Sequence, residues 1–160
     1  MMKQKIQYKI ASMLKGSGKT LSAAESCTGG EISHLITTVS GSSEYYLGSV
    51  TSYAIPVKEK ILGVPAETIQ RFGVVSSEVA AAMAEGIRRV TGSTYSVATT
   101  GLAEGGDGHY PEGTVWIAAS GPNGTSTEIY NCNLGRKGNI RQFAKAALEF
   151  MAEQIEKQSI

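Results

Sequence analysis

Short apolar strands alternate with amphipathic helices over most of the sequence, and three strands then follow in succession before a closing helix; this order predicts a three-layer α/β/α domain around a mixed β-sheet. Strands separated by helices favour parallel pairing, whereas strands joined by tight turns favour antiparallel pairing, so both kinds are expected in one sheet. The 19 glycines, several of them clustered where periodic segments stop, mark the turns between elements. With 160 residues, the chain reads as a single domain over residues 1–160.

Each element has a local reason. From Lys3 to Lys15, Ile6, Ile10, Met13 and Leu14 recur at helical spacing, and Gly16, Ser17 and Gly18 end the pattern. "TLSAAES" follows as a short strand of small side chains, and Ile32, Leu35 and Ile36 predict a second helix from about Gly29 to Thr38. "SEYYLGSVTSYAI" reads as one or two strands, "PVKEKILG" as a short helix with Pro56 in its first turn, and "PAETIQRFG" as another. "SSEVAAAMAEGIRRVTG" is the clearest helix, opened by Ser76 or Ser77 and closed by Gly92. "STYSVATTG", "GTVWIAASG" and "TSTEIYNCNL" are strands, the last two joined as a hairpin through "GPNG". The last helix is expected from Asn139 to Lys157, with Ile140, Phe143, Ala147, Phe150, Met151 and Ile155 as its buried stripe.

Composition excludes several classes. Fifteen basic residues against 14 acidic ones leave almost no net charge, which offers nucleic acid or an anionic membrane surface no electrostatic footprint. No apolar run approaches the roughly 20 residues that span a bilayer. Cys27 and Cys132 form no metal-ligand spacing, and no basic segment followed by an apolar stretch opens the chain, so a cytoplasmic protein with free thiols is expected. With two histidines and no carboxylate–histidine cluster, no metal site is expected either.

Some motifs dissolve on inspection. "GSGKT" at 16–20 imitates the end of a phosphate-binding loop, but Met13 stands where the first glycine belongs, and a strand follows instead of preceding it. "SMLK" at 12–15 is the tail of an amphipathic helix. His34 lies about two turns along the helix from Ser26 and points away, whereas His109 sits in the loop "EGGDGHYPEG" and stays available as a base. Ser26 lies at a strand-to-helix turn, which exposes a side chain and aims free N–H groups at whatever it attacks; a helix cap is the other reading of Ser26 or Thr28. Cys27 is the rival nucleophile, placed by strand alternation on the side opposite Ser26. A serine without histidine needs another base. Lys58 is the candidate, at the start of a short helix whose dipole disfavours a positive charge, with Tyr53 at the preceding strand end near the same proton path.

The blocks "AAESCTGG", "SGSSEYY", "TSYAIPVKEKILGV", "GVVSSEVAAAMAEG", "TTGLAEGG" and "EGTVWIA" resemble, in order and spacing, the C-terminal domain of the CinA family, clearly from Leu21 to Ala119 and more faintly into "LGRKGNIRQFAKAALEF". The resemblance implies an amidohydrolase that converts nicotinamide mononucleotide to nicotinic acid mononucleotide and ammonia without a metal or other cofactor. It implies Ser26 as nucleophile, Lys58 as base and Tyr53 as proton relay. Thr28, Gly29, Gly30, Ser42, Thr100, Gly101 and Arg141 are the implied substrate-binding residues, with N–H groups around Thr28 to Gly30 holding the oxyanion. A small-molecule nucleotide is the implied partner, together with self-association into a homo-oligomer.

The sequence departs from that family in three places. "TTGLAEGGDGHYPEG" puts Glu104 and Gly105 where glycine and proline are usual, and Glu104 and Asp107 add negative charge that would disfavour a phosphate if they face the pocket. Lys137 replaces an arginine, which turns a bidentate phosphate contact into a point charge. Pro56 stands where a polar or acidic residue is more frequent. Two alternatives therefore accompany the first reading: a non-catalytic homologue that binds a nucleotide or protein partner, and an amidase for a different carboxamide.

Overall fold

In the computed structural model, which describes residues 3–160, five strands form one mixed sheet. They are β1 (Leu21–Glu25), β2 (Tyr46–Thr51), β3 (Tyr95–Gly101), β4 (Thr114–Gly121) and β5 (Gly124–Asn131), arranged in the order β2-β1-β3-β4-β5. β1 pairs parallel with both β2 and β3, while β3–β4 and β4–β5 are antiparallel, as the change from interleaved to consecutive strands predicts. Gly121 pairs with Gly124 at the end of the β4–β5 hairpin, so Pro122 and Asn123 form its two-residue loop.

Helices cover both faces. On one side α1 (Ile6–Leu14), α2 (Glu31–Thr37) and α6 (Gly135–Lys157) bury Ile10, Leu14, Ile32, Ile36, Phe143 and Met151 against Leu21, Ala23, Val97, Val115 and Ile117. On the other, α5 (Ser77–Thr91) lays Val79, Ala80, Met83 and Ile87 over Ala24, Ala98 and Ala118. The short helices α3 (Ile55–Lys60) and α4 (Ala66–Phe72) precede it, and Leu62, Val64 and Ile69 carry them into the same cluster. Small side chains on the α5 face of the sheet let that helix approach closely. Ser76 caps α5 by accepting the Val79 N–H at 3.2 Å, and Gly92 closes it in a left-handed conformation.

"SEYYLGSVTSYAI" contributes one strand, β2, between a 3₁₀ turn at Ser42–Glu44 and α3, which starts at Ile55. Two boundaries differ from expectation. α1 is confined to Ile6–Leu14. α6 begins at Gly135, four residues before Asn139, because tertiary hydrogen bonds hold a segment whose glycines weaken local helix propensity. Asn139 is fully buried; its Oδ1 accepts the Leu134 N–H at 2.9 Å, and its Nδ2 donates to the Ala103 carbonyl at 2.9 Å. No helix is long and apolar enough to cross a membrane among the described residues.

Candidate active site

The carboxyl ends of β1 and β3 lie side by side, and the chain leaves β1 through Ser26, Cys27 and Thr28 into α2. Two consecutive residues of that turn have positive φ, Gly29 at 60° and Gly30 at 107°, a combination that side-chain-bearing residues adopt with strain. Sheet alternation then separates neighbours: Glu25 points to the α2 side, and Ser26 to the side of the segment that ends α3.

Lys58 is the centre of the second side. It is 1% exposed, and its Nζ lies 2.9 Å from Ser26 Oγ. Its other partners are the backbone carbonyls of Ser52 and, at 3.2 Å, Tyr53. No ion pair involves it among the described residues. Burial pushes the amine below its ordinary value of 10.5. The helix dipole is not the reason, contrary to the expectation from sequence: Lys58 falls in the last turn of the six-residue α3, where the dipole favours positive charge. A neutral amine has two N–H groups and one lone pair. The two carbonyls take the donors, which leaves the lone pair for the Ser26 hydroxyl proton.

Glu25, which the motif reading passed over, organises the other side. It is fully buried, and its Oε1 accepts from Thr28 Oγ1 at 2.7 Å, Ile32 N at 2.9 Å and Gly30 N at 3.2 Å, while Oε2 accepts from Ser33 N at 3.1 Å. The carboxylate thus caps α2 through its first-turn amides. The signal for it was a charged residue closing a strand of small buried ones, a few positions before a helix start.

This cap revises the expected oxyanion donors. Gly30 N is bound to Glu25 and Gly29 N to the Ser26 carbonyl, so neither is free. Among the described residues, no bond to another residue engages the N–H of Cys27 or Thr28, and these remain at the turn. The Thr28 hydroxyl is likewise taken, between Glu25 and Thr99 Oγ1 at 2.9 Å, so its side chain is part of the scaffold.

The remaining expected residues divide. Thr100 follows the last β1–β3 pair, Ala24–Ala98, by two residues, and its hydroxyl donates to the Val74 carbonyl at 2.8 Å and ties β3 to the loop before α5. Gly101 is needed for close approach, since a Cβ there would lie 2.5 Å from the Thr114 carbonyl oxygen. Ser42 does not join the site. It precedes β2, whose first residue pairs with Leu21 at the start of β1, so the length of β1, about 16 Å at the usual rise, separates it from Ser26. That far end also holds the "GSGKT" loop, where Gly16 N donates to Glu44. Arg141 lines a groove of about 890 Å³ between α1, α2 and α6, and the groove's lining includes neither Ser26 nor Lys58.

Tyr53 is near Lys58 through its carbonyl, not its hydroxyl. Its side chain is 64% exposed, and the hydroxyl lies 3.4 Å from Arg136 Nη2. Cys27 packs in the α1/α2/α6 core, opposite Ser26 as alternation predicts, and burial pushes its thiol up to about 12, which overrides any lowering by the helix terminus. His109 is exposed and packs edge-on against Tyr110, and His34 is exposed on α2, so neither contacts Ser26. No group of three His, Cys, Asp or Glu side chains is arranged to hold a metal ion among the described residues.

The fold and the sequence have counterparts among known proteins. The profile of the CinA C-terminal domain matches residues 3–155. A CinA-like protein of Cytophaga hutchinsonii is 38% identical over 152 residues, covering 94% of this chain and 36% of its own length. One from Salinibacter ruber is 43% identical over 142 residues, covering 88% and 34%. The chain therefore spans about a third of these curated relatives. Among solved structures, the competence/damage inducible protein CihA from Agrobacterium tumefaciens superposes with a TM-score of 0.88 at 31% identity, covering 96% of this chain and 97% of that one. The competence damage-inducible protein A from Klebsiella pneumoniae gives 0.90 at 27%, covering 94% and 95%. Fold likeness thus converges with the sequence match, and the chain belongs to the CinA C-terminal domain family.

Proposed function

We propose that this protein is a serine amidohydrolase that deamidates nicotinamide mononucleotide to nicotinic acid mononucleotide and ammonia. The observation that carries the chemistry is Lys58 Nζ at 2.9 Å from Ser26 Oγ, buried, with only neutral partners. An amine so placed is a general base of the kind that substitutes for histidine beside a serine. The substrate assignment rests on the family resemblance.

In the first half-reaction, Ser26 Oγ bonds to the carboxamide carbon while its proton passes to Lys58. The N–H groups of Cys27 and Thr28, adjacent to the nucleophile and bonded to no other residue among those described, receive the developing oxyanion. The C–N bond then breaks, and the Lys58 ammonium returns its proton to the departing amine, giving ammonia and an acyl-serine. Water attacks that ester with Lys58 again accepting the proton, and as the bond from the acyl carbon to Ser26 Oγ breaks, Lys58 hands that proton to Oγ, releasing the carboxylic acid and restoring Ser26 and the neutral amine. Tyr53 acts in this scheme through its carbonyl, which orients the Lys58 amine.

The test is ammonia release from nicotinamide mononucleotide by the purified protein, beside Ser26→Ala and with nicotinamide as second substrate. Turnover lost in Ser26→Ala supports the reading. No turnover by well-folded wild-type protein removes it and favours a binding homologue, whereas turnover of nicotinamide alone assigns a different carboxamide.

A further inference from the structure

We propose that Arg136 is the specificity residue that recognises the anionic group of the substrate at the mouth of the Ser26–Lys58 site, and that Glu104 is its built-in competitor. The inference rests on the amidohydrolase reading for the identity of the substrate, and on three observations of its own.

The first is position. Arg136 opens α6 and is tied to the site through one residue: its Nη2 lies 3.4 Å from the Tyr53 hydroxyl, and the Tyr53 carbonyl accepts from Lys58 Nζ. The second is the state of its charge. Arg136 Nη1 lies 3.6 Å from Glu104 Oε1, with side chains 49% and 63% exposed. An exposed pair at that distance is weak and easily exchanged, whereas a phosphate presents a guanidinium with paired oxygens and a larger charge.

The third is the construction of the loop between β3 and β4. Its other carboxylates are spent internally: Asp107 Oδ1 accepts the His109 and Tyr110 N–H groups at 2.9 and 2.6 Å, and Glu112 Oε1 accepts Gly105 N at 2.7 Å. At its root, Asn139 holds the Ala103 carbonyl. Glu104 alone among these acids reaches out to another element, so it can leave Arg136 without unravelling the loop. The negative charge that looks hostile to a phosphate is therefore held by the cation that would bind it.

The experiment compares wild type, Arg136→Ala, Arg136→Lys and Glu104→Gln with nicotinamide mononucleotide and with the riboside that lacks its phosphate. Each protein is also titrated with inorganic phosphate, followed by phosphorus NMR line width. Arg136→Ala is expected to raise KM for the mononucleotide by at least about tenfold, with kcat little changed and the riboside KM unmoved. Arg136→Lys falls between, and Glu104→Gln lowers KM for the mononucleotide alone. A parallel shift for both substrates, or none for either, overturns the proposal. If no variant turns over either substrate, the amidohydrolase reading fails by itself and the phosphate titration decides: binding in the order Glu104→Gln, wild type, Arg136→Ala supports Arg136 as an anion receptor, and equal or absent binding in all three overturns it.

Discussion

Two ordinarily charged side chains are buried at the end of β1, and the chain treats them in opposite ways. Glu25, toward α2, receives four hydrogen bonds, three of them from backbone amides. Lys58, in α3, donates to two carbonyls, lies within hydrogen-bond distance of one hydroxyl and pairs with no carboxylate. A buried ion with a full complement of partners is architecture, because moving it would strand every donor around it. A buried amine without a counter-ion is destabilised as a cation, which is the condition for a base near neutral pH. The turn after β1 therefore sets a fully bonded carboxylate on one side of the serine, and α3 sets an amine without a counter-ion on the other.

The comparison can be broken most severely on the lysine side. Ser26→Ala and Lys58→Ala are each expected to lower kcat for ammonia release by at least about a thousandfold, within the range known for lost nucleophiles and bases. Lys58→Arg should not restore activity, since a guanidinium cannot serve as the neutral base. Activity from Lys58→Arg near that of wild type would move the base elsewhere.

On the carboxylate side the loss should fall on stability. Glu25→Ala strands the buried amide of Ile32 and the half-buried amides of Gly30 and Ser33 and is expected to cost about 3 kcal/mol in urea unfolding, with Glu25→Gln costing less. A Glu25→Ala protein as stable as the parent would show that the carboxylate is not what holds the turn.

Proton linkage sharpens the contrast. Burial lowers the Lys58 pKa in the folded chain, so between that value and 10.5 the unfolded chain binds more protons and stability rises with pH. Stability of wild type relative to Lys58→Met should therefore climb as pH rises through that window, whereas log kcat/KM should climb below it and level once pH passes the lowered folded value. Cys27 runs the other way: its thiol titrates at about 12 when folded and near 9.0 when unfolded, so stability falls as pH rises between those values. A pH-independent difference between wild type and Lys58→Met would exclude a depressed lysine.

The smallest effect is expected at Cys27. Cys27→Ala should change kcat/KM by less than about threefold, and iodoacetamide should leave the folded thiol unmodified at neutral pH, because only the thiolate reacts. Rapid labelling would return Cys27 to contention as the nucleophile.

Much of this was legible before any coordinates. Hydrophobic period and turn residues are properties of neighbours in the chain, so the order of strands and helices, a serine cap on α5 at Ser76 or Ser77, the hairpin through "GPNG" and the opposed directions of Ser26 and Cys27 could all be read from spacing. The early start of α6 could not, because Asn139 secures it through Leu134 and Ala103, the latter 36 residues away.

The site divides along the same line. By itself the sequence placed a serine at a strand-to-helix turn and offered Lys58, with His109 still open, as a base for it. Only the tertiary structure decided that burial, and not the helix dipole, depresses that lysine, that Glu25 claims the amides of α2, that Ser42 lies at the wrong end of the sheet, and that Glu104 faces Arg136. Protonation and charge depend on which groups share a desolvated volume and how many donors and acceptors each finds there, and that count is set by strand register and packing between residues far apart in the chain.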